Sequence, residues 1–418
     1  MTFRWEGYEA QMPASRSSSA DPAAASRPAP PRGRDPWLDN AKMALVTLVV
    51  IGHAWTLLPL EGAVGWMYDF LYLWHMPAFV MITGYLSRGF TYRPDRLIQL
   101  VQTVAVPYLI FECAMALFRV YVGGEDLDGL FADPHWPLWF LAALFCWRLL
   151  TPIFRPMYGG LVVAILMSLA AGVAAGDTLD LARVLGMLPF FVLGLKATPE
   201  RLELLRGALP RIAGVLVFAG LAVVATTLNS WASTEWLYYR STYGELDVSA
   251  LEAVLTRGAL LGMGMAGAFA FLAWVPRVPG TFARMGKWTL VVYLFHGFVV
   301  KGVEYTGFPA WGAEHAAAAI VATTLGGLAL SLLLATDPLA RRLDHLVDPF
   351  GAARRRLREA VALTAASVDP VDPIASVDLA PTPIPTADAP GAPATPTPPA
   401  ATGDPTPGEG GADLESSR

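Results

Sequence analysis

A chain of 418 residues that is 54% hydrophobic and only 16% charged is too apolar for a water-soluble protein of this length. The net charge of −5 comes from residues 359–418, where acids outnumber arginine by eight, so residues 1–358 carry +3. The two cysteines lie inside apolar segments, which excludes a disulfide framework and a cysteine-rich zinc cluster. The composition therefore predicts an integral membrane protein.

Ten apolar segments, each long enough to cross a bilayer, follow one another along the chain. Connections rich in arginine and lysine follow the second, fourth, sixth and eighth segments, and the other connections are mostly acidic or neutral. Because positive loops stay in the cytoplasm, we predict an all-α cell-membrane protein of about ten transmembrane helices with both termini cytoplasmic. The segments cover roughly residues 38–58, 64–86, 97–120, 136–154, 157–175, 181–197, 210–229, 252–275, 287–304 and 314–335.

The predicted membrane domain, residues 37–336, is flanked by segments of different composition. Residues 1–36 and 366–418 are rich in alanine and proline with serine or threonine, and we predict disordered tails because such segments bury little apolar surface. Residues 337–365 include four arginines within 354–358, and we predict a basic juxtamembrane segment that is either a stop-transfer anchor or a contact with anionic lipid headgroups.

Three polar side chains interrupt the first apolar segment: Asp39, Lys42 and His53. Lys42 and His53 are eleven residues apart, which is about three helical turns and about 16 Å of rise, so they share one helix face. Asp39 precedes Lys42 by three residues and lies near the same line. Since a polar stripe is costly in lipid, we expect these side chains to line one continuous tunnel through the bilayer.

Other ionisable residues lie within the apolar segments. His53 is the first candidate for catalysis, because an imidazole can take a proton from a hydroxyl near neutral pH. The alternative for this residue is a helix-packing histidine bonded to a neighbouring carbonyl. Glu112 needs a partner, and we expect one of the intramembrane histidines. His296 is expected to face the same cavity as His53, whereas His75 has either a structural role or a substrate contact. His135 adjoins tryptophans and is assigned to an aromatic belt at the outer boundary.

The sequence has no motif typical of a zinc site, a phosphate-binding loop or a nucleic-acid-binding module. No two histidines have the close spacing of zinc ligands on a helix, so we predict no metal site. We also find no glycine-rich phosphate loop and no nucleic-acid module, and we predict no bound cofactor and no nucleic-acid partner.

Four short motifs carry a family resemblance: Asp39-x-x-Lys42 to His53, His75-Met-Pro to Thr83-Gly-Tyr85, Pro137-Leu-Trp-Phe-Leu141, and Tyr293-Leu-Phe-His296. Together they resemble the acyltransferase-3 family of integral membrane O-acyltransferases, and most of all its fucose 4-O-acetylase-like branch. The family has an arginine where this chain has Lys42, which keeps the charge but lacks the planar guanidinium. Thr83 stands where the family would have serine.

The resemblance implies a ten-span enzyme that moves an acyl group, usually acetyl, from a cytoplasmic acyl-CoA to a hydroxyl of a sugar, a glycolipid or a cell-envelope glycan. His53 would act as a general base or as a nucleophile. The cations near the cytoplasmic face would dock the anionic donor, or would merely set the topology. We predict His53, Asp39, Glu112 and His296 as catalytic residues, and Lys42, His75, Arg88, Arg93, Arg96, Trp139 and Tyr293 as substrate-binding residues.

Two other classes of function fit parts of the sequence. One is a transporter or exporter whose polar stripe conducts protons or substrate, and the other is a noncatalytic scaffold that acts through its acidic tail. No internal repeat is evident, and we expect no pair of interrupted half-helices, both of which argue against the transporter.

Overall fold

The computed structural model describes residues 35–126, 134–174, 180–351 and 353, so residues 1–34, the basic run 354–358 and the predicted tail 366–418 lie outside the described residues. Asp35 and Pro36, which we assigned to the N-terminal tail, instead cap and begin the first helix. A π-helical turn, Val101–Ala105, joins α4 to α5, and a short 3-10 turn, Leu228–Ser230, follows α11. In chain order, α1 to α18 span Pro36–Trp55, Gly62–Tyr72, His75–Ser87, Pro94–Leu100, Val106–Tyr121, Trp139–Phe154, Gly160–Ala174, Leu181–Gly186, Leu188–Lys196, Pro199–Glu203, Ala208–Thr227, Glu235–Tyr238, Ala250–Trp274, Thr281–Met285, Thr289–Glu304, Phe308–Glu314, Ala316–Leu334 and Asp337–Val347.

The all-helical prediction is confirmed for the described residues. Each of the ten predicted segments coincides with one helix or, for the second, third and sixth segments, with two consecutive helices. Within the described ranges, four helices have the length and composition to cross a membrane, namely Pro94–Tyr121, Ala208–Ser230, Ala250–Trp274 and Ala316–Leu334. The number of ten crossings and the cytoplasmic side of the termini stay predictions.

Helix α1 lies at the centre of the helix cluster. The Asp35 side chain caps its first turn by accepting a hydrogen bond from the Trp37 backbone N–H at 2.9 Å, and Pro36 occupies the first helical position. Helix α1 packs against α3, α15 and α17, and most of its side chains are buried, including those of Asp39 and His53. Because ionisable side chains within membrane segments face the protein interior and not lipid, the central position of α1 agrees with its polar stripe.

Two of the predicted segments are interrupted. The second breaks between α2 and α3, and the sixth breaks at Met187 between α8 and α9. Pro77 and Pro189 lie in the first turn after each break, and proline has no N–H with which to continue the preceding helix. The expectation that the chain has no paired, interrupted half-helices is wrong.

The halves α3 and α9 cross each other at close range. Gly84 of α3 faces the backbone of Phe191, and Gly194 of α9 faces the backbone of Met81, so a Cβ atom at either glycine would overlap main-chain atoms. Small residues at helix crossings allow this approach in membrane proteins. The crossing fixes the two breaks relative to each other.

Helix α18 begins with an ion pair to the start of α15. The Asp337 carboxylate lies 2.7 Å from Lys287 Nζ and accepts a hydrogen bond from Trp288 Nε1 at 2.7 Å. These contacts, above all that with Lys287, hold the pKa of Asp337 below its ordinary value. Arg341 and Arg342, from the predicted basic segment, lie on this helix.

Candidate active site

A cavity of about 500 Å³ lies beside the C-terminal end of α1 and the two helix breaks. Aromatic side chains form much of its wall, and charged residues add a few polar groups, which is the composition of small-molecule sites. The aromatic lining is Tyr68, Tyr72, Phe79, Trp136, Trp139, Phe140, Tyr238 and Tyr293, and the charged lining is Arg183, Glu235, Arg240, Lys301 and Glu304.

Two histidines that are far apart in sequence form a hydrogen bond at this cavity. His53 Nδ1 and His296 Nε2 are 2.8 Å apart, and His296 Nδ1 lies 3.1 Å from the carbonyl oxygen of Val292, one turn earlier in α15. His296 is fully buried, whereas His53 is 7% exposed and lines the cavity. The structure thus brings together two of the four residues that we predicted as catalytic.

This hydrogen-bonded row has a fixed direction, because a carbonyl oxygen can only accept. His296 Nδ1 donates to Val292, so Nε2 of a neutral His296 is an acceptor. His53 Nδ1 therefore donates to His296, and the lone pair of the His53 ring is on Nε2. No residue in the described part of the chain forms a hydrogen bond with that Nε2 atom. The arrangement leaves His53 Nε2 able to take a proton.

The segment that precedes α6 packs against the histidine pair. The centroid of the Trp136 ring lies 4.5 Å from that of His53. Tyr293 donates a hydrogen bond to the Pro137 carbonyl at 2.6 Å, which ties the segment to the helix that also carries His296. The position of the His53 ring therefore depends on α1, α15 and this segment together.

Glu112 supports the same segment from α5. Its fully buried carboxylate accepts hydrogen bonds from the His135 backbone N–H at 2.8 Å and from His135 Nδ1. The partner is thus His135, which we had assigned to an aromatic belt, and none of His53, His75 and His296. Glu112 lines neither this cavity nor the second one described below. Its contacts are those of a positioning residue.

We expect Glu112→Ala to lower the free energy of unfolding, by roughly 1–3 kcal/mol for each buried donor of His135 that loses its acceptor. Glu112→Gln should lose less, because the amide oxygen still accepts one hydrogen bond. Thermal unfolding of the detergent-purified protein measures the difference. Glu203→Ala, at an exposed ion pair with Arg206, is the matched control and should leave the unfolding temperature unchanged. Wild-type stability of Glu112→Ala would contradict the supporting role.

A second cavity, of about 280 Å³, lies beside the first half of α1, and two cationic side chains line its wall. Lys42 lines it, with Nζ 2.8 Å from Asp39 Oδ1, and Asp39 itself is not part of the lining. Arg148 of α6 lines it too, and no residue that the structure describes forms an ion pair with its guanidinium. This end of α1 can therefore attract an anion.

Lys42 and His53 lie on one face of α1, yet they line different cavities. The single continuous tunnel that we predicted is therefore divided. Among the described residues, the two cavities share only three lining side chains, which are the aromatic rings of Phe79, Phe140 and Tyr293.

Two predicted substrate-binding residues have structural contacts at the ends of α3. His75 Nδ1 donates a hydrogen bond to the Leu71 carbonyl at 2.8 Å, across the break between α2 and α3. Arg88 donates to the carbonyls of Tyr85 and Ala197, at 2.9 and 2.8 Å, and thereby joins the ends of α3 and α9. Neither side chain lines either cavity.

The remaining predicted residues divide into two groups. Arg93 and Arg96 are exposed, lie next to Asp95 and line neither cavity. Trp139 and Tyr293 line the cavity that contains His53, and Tyr293 also borders the second cavity.

Arginines that were not among the predicted site residues also line these cavities, namely Arg148, Arg183 and Arg240. The guanidinium of Arg183 lies 4.5 Å from the centre of the Trp139 ring and 3.3 Å from the Asp180 carboxylate. Arg148 and Arg183 lie within the predicted membrane segments 136–154 and 181–197, where an ionisable residue is itself a signal of function. Arg240 lies in a connection between segments and offers no such signal.

A family model for an acyltransferase domain matches residues 35–336. The chain belongs to the acyltransferase-3 family. This membership confirms the resemblance carried by the four motifs, and it makes the chain an acyltransferase. Together with its apolar helices, it indicates a multi-pass membrane protein.

Two relatives within this family are both named nodulation protein NolL. The protein from Sinorhizobium fredii is 26% identical over 382 residues, which cover 84% of this chain and 99% of the relative. The protein from Mesorhizobium japonicum is 26% identical over 347 residues, which cover 76% of this chain and 90% of the relative. No solved structure gives a significant match.

Proposed function

We propose that this acyltransferase-3 protein transfers an acyl group, in the first instance acetyl, from acyl-CoA to a hydroxyl group of a sugar, a glycolipid or a cell-envelope glycan. One observation carries the proposal. The hydrogen bonds from His53 through His296 to Val292 leave His53 Nε2 as an unprotonated nitrogen at the wall of a cavity large enough for a sugar. We propose the cell membrane as its location, with both termini in the cytoplasm.

In the proposed reaction, His53 Nε2 takes the proton of the acceptor hydroxyl as its oxygen attacks the thioester carbonyl. The new C–O bond gives a tetrahedral intermediate, and its collapse breaks the C–S bond. The CoA thiolate leaves and takes the proton back from His53, so the products are an ester and CoA. His296 stabilises the imidazolium that forms in between, because His53 Nδ1–H still donates to its Nε2 atom.

The wall of the larger cavity supports a sugar acceptor. Its tryptophan and tyrosine rings can stack on the apolar face of a sugar ring, while phenolic and charged groups can bind the hydroxyls. Several of these charges are already paired within the protein, for example Lys301 with Glu304 at 2.9 Å and Arg183 with Asp180. Such pairs suit a neutral, hydroxyl-rich ligand.

The smaller cavity supports an anionic donor. Lys42 and Arg148 are cations at its wall, and Asp39 orients the Lys42 ammonium. The phosphates of acyl-CoA are acceptors for both groups, and a guanidinium can bind a phosphate through two parallel hydrogen bonds. Donor entry at this end agrees with the predicted cytoplasmic position of the α1 N-terminus.

We expect Lys42→Ala and Arg148→Ala each to raise KM for acetyl-CoA by about tenfold, since one charge-assisted hydrogen bond is worth about 1.5–3 kcal/mol. The rate at saturating donor should change little. Initial rates in membranes across a range of acetyl-CoA concentrations give both parameters. Arg155→Ala is the control, because Arg155 is exposed and lines neither cavity. A fall in kcat with unchanged KM would place Lys42 in the chemical step instead.

Transfer itself can be tested in membranes supplied with acetyl-labelled acetyl-CoA. The proposal requires label in a carbohydrate-containing fraction, released by mild alkali as acetate, in wild-type membranes but not in His53→Gln membranes. Label on purified protein without any acceptor would identify His53 as a nucleophile that forms an acyl-histidine. Absence of His53-dependent label in every fraction would refute the proposal.

A transporter is the second candidate, and one observation favours it. The two interrupted helices meet beside the larger cavity, as the half-helices of many transporters meet at their substrate sites. Substrate-driven proton movement in vesicles without any acyl-CoA would support this candidate. Such movement would not change on replacement of Lys42 or Arg148, the cations proposed to bind the acyl-CoA donor.

A further inference from the structure

The three aromatic rings shared by the two cavities come from three different helices. Phe79 lies in α3, Phe140 in α6 and Tyr293 in α15. The Phe79 and Phe140 rings pack edge to face with centroids 5.0 Å apart, and Phe140 and Tyr293 do the same at 5.9 Å. The rings thus form a continuous row between the cavity of Lys42 and the cavity of His53.

Two of the rings are held firmly. The Tyr293 hydroxyl donates to the Pro137 carbonyl at 2.6 Å. Phe140 packs on Trp147, a fully buried residue whose Nε1 donates to the Val184 carbonyl at 2.8 Å.

Phe79 has fewer constraints than the other two rings. It is only partly buried, and Phe140 is the one aromatic ring within the described residues that packs against it. Phe79 is therefore the least constrained of the three rings.

We propose that Phe79, Phe140 and Tyr293 form a partition that the acyl group crosses, and that Phe79 limits the length of the acyl chain. This inference rests on the proposed function, because it places the CoA phosphates near Lys42 and the reacting carbonyl near His53. The two residues are about 16 Å apart along α1 by helical rise, so the acyl end of the donor has to pass the rings.

The partition favours short acyl groups for a steric reason. A two-carbon acyl group presents little more than a methyl group to the gap between the rings. With the carbonyl beside His53, the methylene groups of a longer chain lie on the His53 side of the partition, where Phe79 also lines the cavity and occupies the space that they need. Apolar pockets discriminate by about 10- to 200-fold for a single methylene, so one ring can set the preference. The bonds that form and break are those of the proposed transfer, and no further reactant is needed.

The test compares acetyl-CoA with octanoyl-CoA as donors for the full-length protein in membranes. Release of CoA thiol that depends on His53 is measured by subtracting the rate of His53→Gln membranes. We expect Phe79→Ala to raise the octanoyl-to-acetyl rate ratio by about tenfold or more over wild type. Phe79→Trp should lower the rates of both donors, because the larger ring narrows the passage.

Phe218→Ala is the matched control. Phe218 packs on the rings of Phe70 and Trp74 and lines neither cavity, so its truncation creates a similar hole away from the partition. An octanoyl-to-acetyl ratio in Phe79→Ala equal to that of Phe218→Ala overturns the partition while the transfer reaction stands. His53-independent thiol release with every donor overturns the proposed function itself.

Discussion

Replacing His53 by glutamine should abolish acyl transfer, with a loss of about 10²- to 10⁴-fold in kcat. Glutamine has similar size and can still donate a hydrogen bond to His296, but its amide cannot take a proton from a hydroxyl. The protein should therefore insert and fold as before. Labelled acetyl transfer in membranes gives the rate, and size-exclusion chromatography of the solubilised variant checks the fold.

His315→Gln is the matched control for this loss. His315 is exposed just before α17 and lines neither cavity. Its Nδ1 atom donates a hydrogen bond to the Trp311 carbonyl one turn earlier. Transfer should be unchanged in this variant. Wild-type transfer by His53→Gln would show that the base lies elsewhere, and the enzymatic role given to the His53–His296 pair would be wrong.

Positions along single helices followed well from the sequence. The ten apolar segments anticipated the helices because apolar length alone specifies where a chain can cross lipid. Within α1, the spacing of Lys42 and His53 correctly predicted one shared face, since an unbroken helix obeys its own geometry. Asp39 lies within reach of Lys42 for the same reason.

Contacts between helices followed less well from the sequence. His296 was expected to face the same cavity as His53, and it instead lies behind His53 and bonds to it without lining the cavity. Helical periodicity identifies a face but not the helix that packs against it, so the partner of Glu112 could only be guessed, and it is His135. The hydrogen bond between His53 and His296 spans 243 residues of sequence. It depends on the packing of α15 against α1, which many side chains decide jointly.

The division of the predicted tunnel has the same origin. The face of α1 that carries Lys42 and His53 is continuous, but rings from α3, α6 and α15 enter the space in front of it. No property of α1 indicates where those rings lie. The breaks at the ends of α2 and α8, by contrast, coincide with Pro77 and Pro189, which are local signals within the sequence itself.

Replacing His296 by alanine should lower kcat by at least about tenfold while KM for acetyl-CoA stays near the wild-type value. His296 is buried behind His53 and does not line the cavity, so it acts through the orientation and tautomer of the His53 ring. Losing the orienting partner of a catalytic histidine can cost up to about 10⁴-fold. Steady-state rates measure the separation of kcat from KM.

Two further variants distinguish orientation from simple packing. His296→Gln can still accept a hydrogen bond from His53 Nδ1–H through its amide oxygen, so it should recover part of the lost rate. His296→Leu fills a similar volume without an acceptor and should not. The ¹⁵N NMR shifts of labelled His53 report the tautomer directly. We expect the Nδ1–H form in the wild type and a mixture of the Nδ1–H and Nε2–H forms in His296→Leu. Equal rates for the glutamine and leucine variants would mean that His296 only fills space, and the direction of the hydrogen-bonded row would have no role in transfer.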